Sequence, residues 1–146
     1  MLKNNIPRFC TIAIKFDAGH RIIGHQGHCK YVHGHSYNIE ITVGSNVLDD
    51  LGMVVDFGVL KKICEDWIKE NFDHTIILST EDLELGQAIA KITHQKVYYL
   101  DGNPTSENLA TFFKYEICSK LFKPYEGQFS VTKVKLSESA KSWVEV

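Results

Sequence analysis

Apolar residues fall on every second position in two stretches of this chain: Cys10, Ile12, Ile14, Phe16 and Ala18, then Tyr37, Ile39, Ile41 and Val43. Period-two alternation marks a half-buried β-strand, so strands are expected over about 8–20 and 33–44. From residue 57 the period changes. Phe57, Leu60, Ile63, Cys64, Trp67 and Ile68 recur at helical spacing, with Asp56 placed to cap the helix. A second amphipathic helix is expected over about 106–122, with Leu109, Phe112, Phe113, Ile117 and Leu121 on one side and Pro124 as its stop. Thr105 and Ser106 suit the start of that helix, and Glu107 suits its first turn. Between 76 and 101 the pattern gives a strand remnant, a short helix carrying Leu83, Leu85, Ala88, Ile89 and Ile92, and a strand over 97–100. Strands near 128–137 and 142–146 close the chain. The β-β-α-α-β-β order predicts an antiparallel sheet with both helices on one face, an α+β domain. Its edges stay open, so a lone subunit would be unfinished.

The same parity extends to histidine. Five of the seven histidines lie between His20 and His35. A strand running through residue 20 aims His20 to the face of Phe16 and Ala18, and His33 and His35 share parity with Tyr37. Antiparallel pairing across the loop 21–32 brings three imidazoles to one side of the sheet. Three neutral nitrogen ligands with one vacancy form a catalytic zinc site, whereas a structural site is closed by a fourth protein ligand. Cys29, in the loop, decides between the two. As a fourth ligand it would close a non-catalytic Cys-His module. His25 and His28 read as solvent-exposed or as lining the mouth of the site, and His94 as a surface residue.

Composition narrows the classes. At 146 residues with 44% hydrophobic content, the chain is expected to be a single domain spanning 1–146. A formal net charge of −2 and no Lys/Arg-rich run argue against a nucleic-acid surface. No apolar stretch reaches membrane-spanning length, and the start MLKNNIPRF lacks a signal-peptide layout, so a cytoplasmic location is expected. Cys10, Cys29, Cys64 and Cys118 are scattered without a C-x-x-C pair, which disfavours a disulfide framework. Neither H-E-x-x-H nor a deaminase-type C-x-x-C is present.

Several segments together resemble one family. Ala18-Gly19-His20, Cys29-Lys30-Tyr31-Val32-His33-Gly34-His35, Gly52-Met53-Val54-Val55-Asp56-Phe57, Asp73-His74, Pro104-Thr105-Ser106-Glu107-Asn108 and Ser137-Glu138-Ser139 follow one another in the order found in that family. It is the 6-pyruvoyl-tetrahydropterin and 6-carboxy-5,6,7,8-tetrahydropterin synthases, and the C-x-x-x-H-G-H spacing is similar to the bacterial carboxy branch. The resemblance implies the tunnelling fold (T-fold), a four-stranded antiparallel sheet with two helices on one face. In that fold subunits join sheets into a barrel, two trimers stack into a homohexamer, and active sites lie at subunit boundaries. It implies zinc on His20, His33 and His35. The substrate implied is 7,8-dihydroneopterin triphosphate, converted to 6-carboxy-5,6,7,8-tetrahydropterin with loss of acetaldehyde and triphosphate, on the queuosine and 7-deazaguanine route. The runner-up is 6-pyruvoyl-tetrahydropterin synthase, which eliminates triphosphate without losing carbons.

Residue chemistry supports these roles. A zinc ion polarises substrate oxygens and eases removal of adjacent C–H protons. A cation near Cys29 favours its thiolate, which serves as general base. Asp73-His74 alone reads as a polar helix-end turn; with the resemblance, His74 returns the proton while Asp73 or Glu138 fixes its tautomer. Glu138 becomes the pterin anchor, since a carboxylate accepts two parallel N–H bonds. Thr105, Ser106 and Glu107 border the pterin pocket in that family. Arg21 and Lys30 are the triphosphate candidates. Three departures from the pattern bear on the substrate's side chain: Thr75-Ile76-Ile77-Leu78-Ser79 after the Asp-His pair, a longer 80–102 segment, and Ser139 in place of threonine.

Overall fold

A computed structural model of the protein describes residues 5–146. Its centre is the antiparallel pair of β1 (Arg8–His20) and β2 (His33–Ser45), in unbroken register from Arg8 opposite Ser45 to His20 opposite His33. Alternation does what it predicts here: Ile12, Ile14, Phe16 and Ala18 are buried from β1, and Tyr37, Ile39, Ile41 and Val43 from β2. Over that face lies α1 (Phe57–Asn71), which buries Leu60, Cys64 and Ile68. The Asp56 carboxylate caps it, accepting from the N–H groups of Gly58 at 2.7 Å and Val59 at 3.2 Å.

The second predicted helix forms with an interruption. It begins as α3 (Ser106–Phe112), passes through a π-helical turn at Phe113–Ile117 and ends as α4 (Cys118–Leu121). The extra residue of a π turn rephases the helix. Phe113, Ile117 and Cys118 accordingly all reach the core, and Pro124 sits in the 3-10 turn that follows. Then β5 (Ser130–Ser139) pairs with the free edge of β2, and β6 (Ser142–Glu145) with β5, both antiparallel.

The sheet corrects the expectation of four antiparallel strands. Among the described residues it has six, in the order β4-β3-β1-β2-β5-β6, and it is mixed. β3 (Thr75–Ser79) lies parallel to β1, pairing Ala18, Gly19 and His20 with Thr75, Ile76 and Ile77. β4 (Val97–Leu100) lies parallel to β3. Parallel neighbours need a crossover of a dozen or more residues. The long 80–102 segment supplies it as α2 (Leu83–Thr93).

The two long helices do share one face, as expected, while the short α2 lies on the other. On β4, Tyr98 meets the rings of Trp67, Phe72 and Phe112 on the α1/α3 side. Its neighbour Tyr99 points the other way and presses on Gly86 of α2, where a Cβ would meet the ring. So α2 covers the opposite face, at the β3–β4 edge. The rest of that face, carrying Lys15, Asp17, Ser36, Asn38, Glu40, Lys135 and Ser137, is polar, and among the described residues no helix lies over it.

Candidate metal centre and its surrounding groups

The β1–β2 register sets His20 directly opposite His33, with His35 one pleat further along the same face. One ring nitrogen from each lies within 4.8 Å of the other two. Ring centroids stand 4.6, 5.0 and 4.9 Å apart. His20 is buried, 2% exposed. Around its ring stand Pro104, His33, His35 and Tyr37, and β3 pairs along its backbone.

Backbone carbonyls fix two of the rings. His20 Nδ1 lies 2.7 Å from the Pro104 carbonyl and His33 Nδ1 lies 2.6 Å from the Tyr31 carbonyl. A carbonyl only accepts, so each Nδ1 carries the proton and each Nε2 is left with a bare lone pair. Those two Nε2 atoms face each other at 3.1 Å. Two lone pairs at that distance repel unless a cation sits against them, so the donor set fits a metal ion. Outer carbonyl partners of this kind orient metal-ligating histidines generally. Burial lowers the His20 pKa, and the neighbouring His33 and His35 add to the shift, which keeps the imidazole in the neutral form a metal requires.

Glu138 completes this face. It follows Val134 and Leu136 on the inward side of β5, at a point where the β5–β6 register is irregular. Its carboxylate oxygens lie 4.0 Å from His20 Nε2 and 3.9 Å from His35 Nε2. Below it the Tyr37 hydroxyl stands 3.3 Å from His20 Nδ1. Burial and the Glu138 charge raise the Tyr37 pKa, so the phenol stays protonated.

The Asp73-His74 pair lies elsewhere. Asp73 accepts the Asp17 N–H at 2.9 Å through Oδ1, and its Oδ2 lies 3.0 Å from His74 Nδ1. His74 has φ +58, in the left-handed region, held there by its N–H bond to the Asp17 carbonyl at 2.6 Å. The Asp17 carboxylate joins Asp73 and His74 within 4.8 Å and accepts the Ser36 hydroxyl at 2.5 Å. Asp17 and Ser36 alternate with Ala18 and His35, so this group stands on the face opposite the triad. It borders an open cleft of about 370 Å³ floored by Gly19 and Gly34.

The remaining sequence candidates are placed as follows. Cys29 is half-buried in a 3-10 turn (His28–Lys30), and its sulfur is not one of the convergent ligand atoms. Thr105 caps α3, accepting the Asn108 N–H at 3.2 Å, with Ser106 buried and Glu107 exposed behind it. Arg21 is already engaged: Nε donates to Asp82 Oδ2 at 2.7 Å and NH2 to the other carboxylate oxygen. Lys30 is exposed and lies over the Tyr31 ring at 5.1 Å. His25 and His28 are exposed in the loop. By contrast Cys64 and Cys118 lie in the core, where burial pushes the Cys64 thiol up to about 12. Sequence reasoning missed the Pro104 and Tyr31 carbonyls, Asn103, Asp17 and Asp82. Backbone carbonyls leave no residue-type signal, and Asn103 between Gly102 and Pro104 reads as ordinary turn chemistry.

The family model for 6-pyruvoyl tetrahydropterin synthase matches residues 10–146. The chain belongs to that family. A protein of Rickettsia bellii named 6-carboxy-5,6,7,8-tetrahydropterin synthase is 54% identical over 137 residues, covering 94% of this chain and 98% of the relative. An Aquifex aeolicus protein of the same name is 34% identical over 151 residues, covering 90% and 92%. Among solved structures, an uncharacterised Wolinella succinogenes protein superposes with a TM-score of 0.79 at 20% identity, covering 97% of this chain and 98% of that one. The Plasmodium falciparum 6-pyruvoyl tetrahydropterin synthase does so at 0.71 with 17% identity, covering 96% of each. At those identities the likeness speaks for the fold, which is that of the pterin synthases. Among the described residues no helix is long and apolar enough to cross a membrane.

Proposed function

We propose that this protein is a zinc-dependent 6-carboxy-5,6,7,8-tetrahydropterin synthase, acting on 7,8-dihydroneopterin triphosphate with release of acetaldehyde and triphosphate. The observation that carries the reading is the triad, with two bare Nε2 atoms 3.1 Å apart on a face shared with Glu138. The names of the relatives that cover nearly the whole chain support the carboxy product. In this reading residues 1–146 form one pterin synthase domain, working in the cytoplasm on the queuosine route as a homohexamer of two trimers.

Each group then has a task. Zinc on His20, His33 and His35 supplies Lewis-acid polarisation of the substrate side chain. Cys29, outside the ligand set, takes the proton from the activated carbon as a thiolate. His74 returns a proton from the other side, and Asp73 on Nδ1 leaves Nε2 as the working nitrogen. Glu138 accepts the paired N–H bonds of the pterin, with Thr105, Ser106 and Glu107 at the pocket's border. Since the dyad and the triad stand on opposite faces of one sheet, the dyad of one subunit serves the triad of its neighbour. Arg21 is bound to Asp82, which leaves Lys30 for the triphosphate.

Incubating the zinc-loaded protein with dihydroneopterin triphosphate and identifying products by mass tests this. Carboxytetrahydropterin with acetaldehyde is expected. A pyruvoyl product without acetaldehyde would move the protein to the other branch, and zinc retention with no turnover would make it a binding module.

A further inference from the structure

Four consecutive residues at the root of the 21–32 loop are each tied by a different partner. The His20 ring meets the Pro104 carbonyl at 2.7 Å, and Arg21 is held by the buried Asp82. The Ile22 N–H donates to the Cys29 carbonyl at 2.8 Å. Ile23 is bracketed by Asn103, whose Oδ1 accepts the Ile23 N–H at 2.9 Å and whose Nδ2 donates to the Ile23 carbonyl at 3.0 Å. A side-chain amide offers one acceptor and two donors, so it can stand in for a neighbouring strand.

Asn103 is a fixed post. Its own carbonyl accepts the Thr105 N–H at 2.9 Å and the Asn108 Nδ2 at 2.9 Å, which ties it to the start of α3. The loop it grips is otherwise held only by short local bonds, such as the Gly27 N–H to His25 Nδ1 at 2.9 Å and the Tyr31 N–H to the His28 carbonyl at 3.0 Å. Residues 24–28 are exposed, and Gly24 turns through φ +84. Cys29 returns to the root through the Ile22 bond, one residue from the Asn103 bracket. His20 and His33 take their orientation from other groups, the Pro104 and Tyr31 carbonyls. The ring contacts of the metal ligands and the Ile23 bracket thus run through different atoms, although Pro104 directly follows Asn103 and the Tyr31 N–H closes the Cys29 turn on the His28 carbonyl at 3.0 Å.

We propose that Asn103 is a positioning residue that sets Cys29 against the histidine triad by fixing the Ile23 backbone. The inference rests on the reading of Cys29 as the proton-abstracting base. Removing the bracket leaves two half-buried backbone groups without partners and frees the hinge from which Cys29 hangs. The amide acts through the loop and touches no substrate.

The test uses full-length zinc-loaded Asn103→Ala, with Asn103→Asp as a second variant that keeps the acceptor and loses the donor. Zinc per chain, the iodoacetamide alkylation rate at the Cys29 peptide, kcat and KM are measured on the same preparation. Expected are unchanged zinc, several-fold faster alkylation of Cys29, and kcat lower by about 10–100-fold at similar KM, the range typical of supporting-residue losses. The Asp variant should fall between. Wild-type alkylation and kcat in either folded variant would overturn the proposal, even with a lowered Tm, because the bracket would then be structural only. Loss of zinc would overturn it too, by assigning Asn103 to the metal scaffold. Full turnover in Cys29→Ala would instead sink the base reading, while the alkylation rate would still report on Asn103.

Discussion

His20, His33 and His35 stand on two 13-residue strands in unbroken register, whereas His74 stands at a sheet corner in the left-handed region. The His20 side chain is 3% exposed and that of His74 is 77% exposed. The difference follows from what each has to do. A metal site gains from ligands that converge before the ion arrives, and the β1–β2 pair brings the three candidate ligands together inside one chain. In the proposed function Asp73-His74 is a proton-transfer pair, which needs only the correct tautomer, set by Asp73 Oδ2 at 3.0 Å from His74 Nδ1, and an opposing surface. The face that carries the pair is polar and, among the described residues, has no covering helix; in the proposed function a second subunit would complete it.

The contrast can be broken most severely at the triad. His33→Ala should lose bound zinc by more than the 100-fold that outer-sphere losses reach and abolish turnover, measured by chelator competition and product assay. His74→Ala should keep zinc and lose about 10²–10⁴-fold in turnover as a general acid is removed. Equal zinc affinity in wild type and His33→Ala would mean the ion binds elsewhere. Mixing the two inactive variants sharpens the comparison. If one subunit's dyad serves another's triad, equal subunit exchange restores about a quarter of the sites, since each site draws independently on two protomers. No recovery after verified exchange would place dyad and triad in the same subunit's site.

A smaller effect separates the two regions by pH. The His20 pKa is lowered by burial, so the unfolded chain takes up its proton first as the medium is acidified. Stability from the neutral ring is complete above the unfolded value of 6.5 and falls as the pH drops below it, down to the depressed folded value. Zinc-free protein should therefore show a Tm that declines below pH 6.5, and His20→Gln should flatten that slope. An unchanged slope would mean that other groups set the acid limb.

What could be read from the sequence, and what could not, divides along the same line. Parity together with an antiparallel return across the loop 21–32 placed three histidines on one face, because a strand's period is two. The Asp56 and Thr105 caps were legible for a similarly local reason. Parallel pairing of β3 and β4 was not. Both strands are 4–5 residues long, and their partners are set by a crossover rather than by a turn. The supports of the site were invisible on principle, since the Pro104 and Tyr31 carbonyls belong to the backbone. The partner of Arg21 was equally hidden, because a cation beside the histidine loop carries no sign of the buried acid, Asp82, 61 positions away.

The unbroken β1–β2 ribbon also limits how this chain can change length. Loss of a single codon anywhere between His35 and the middle of β2 turns every inward side chain on one side of the deletion outward, parting His33 and His35 from the core that seats them. Loss of two codons keeps the faces and only shortens the ribbon. Between residues 24 and 28 no such arithmetic applies. Viable insertions and deletions in descendants of this gene should therefore come freely in the loop and in even numbers along the strands.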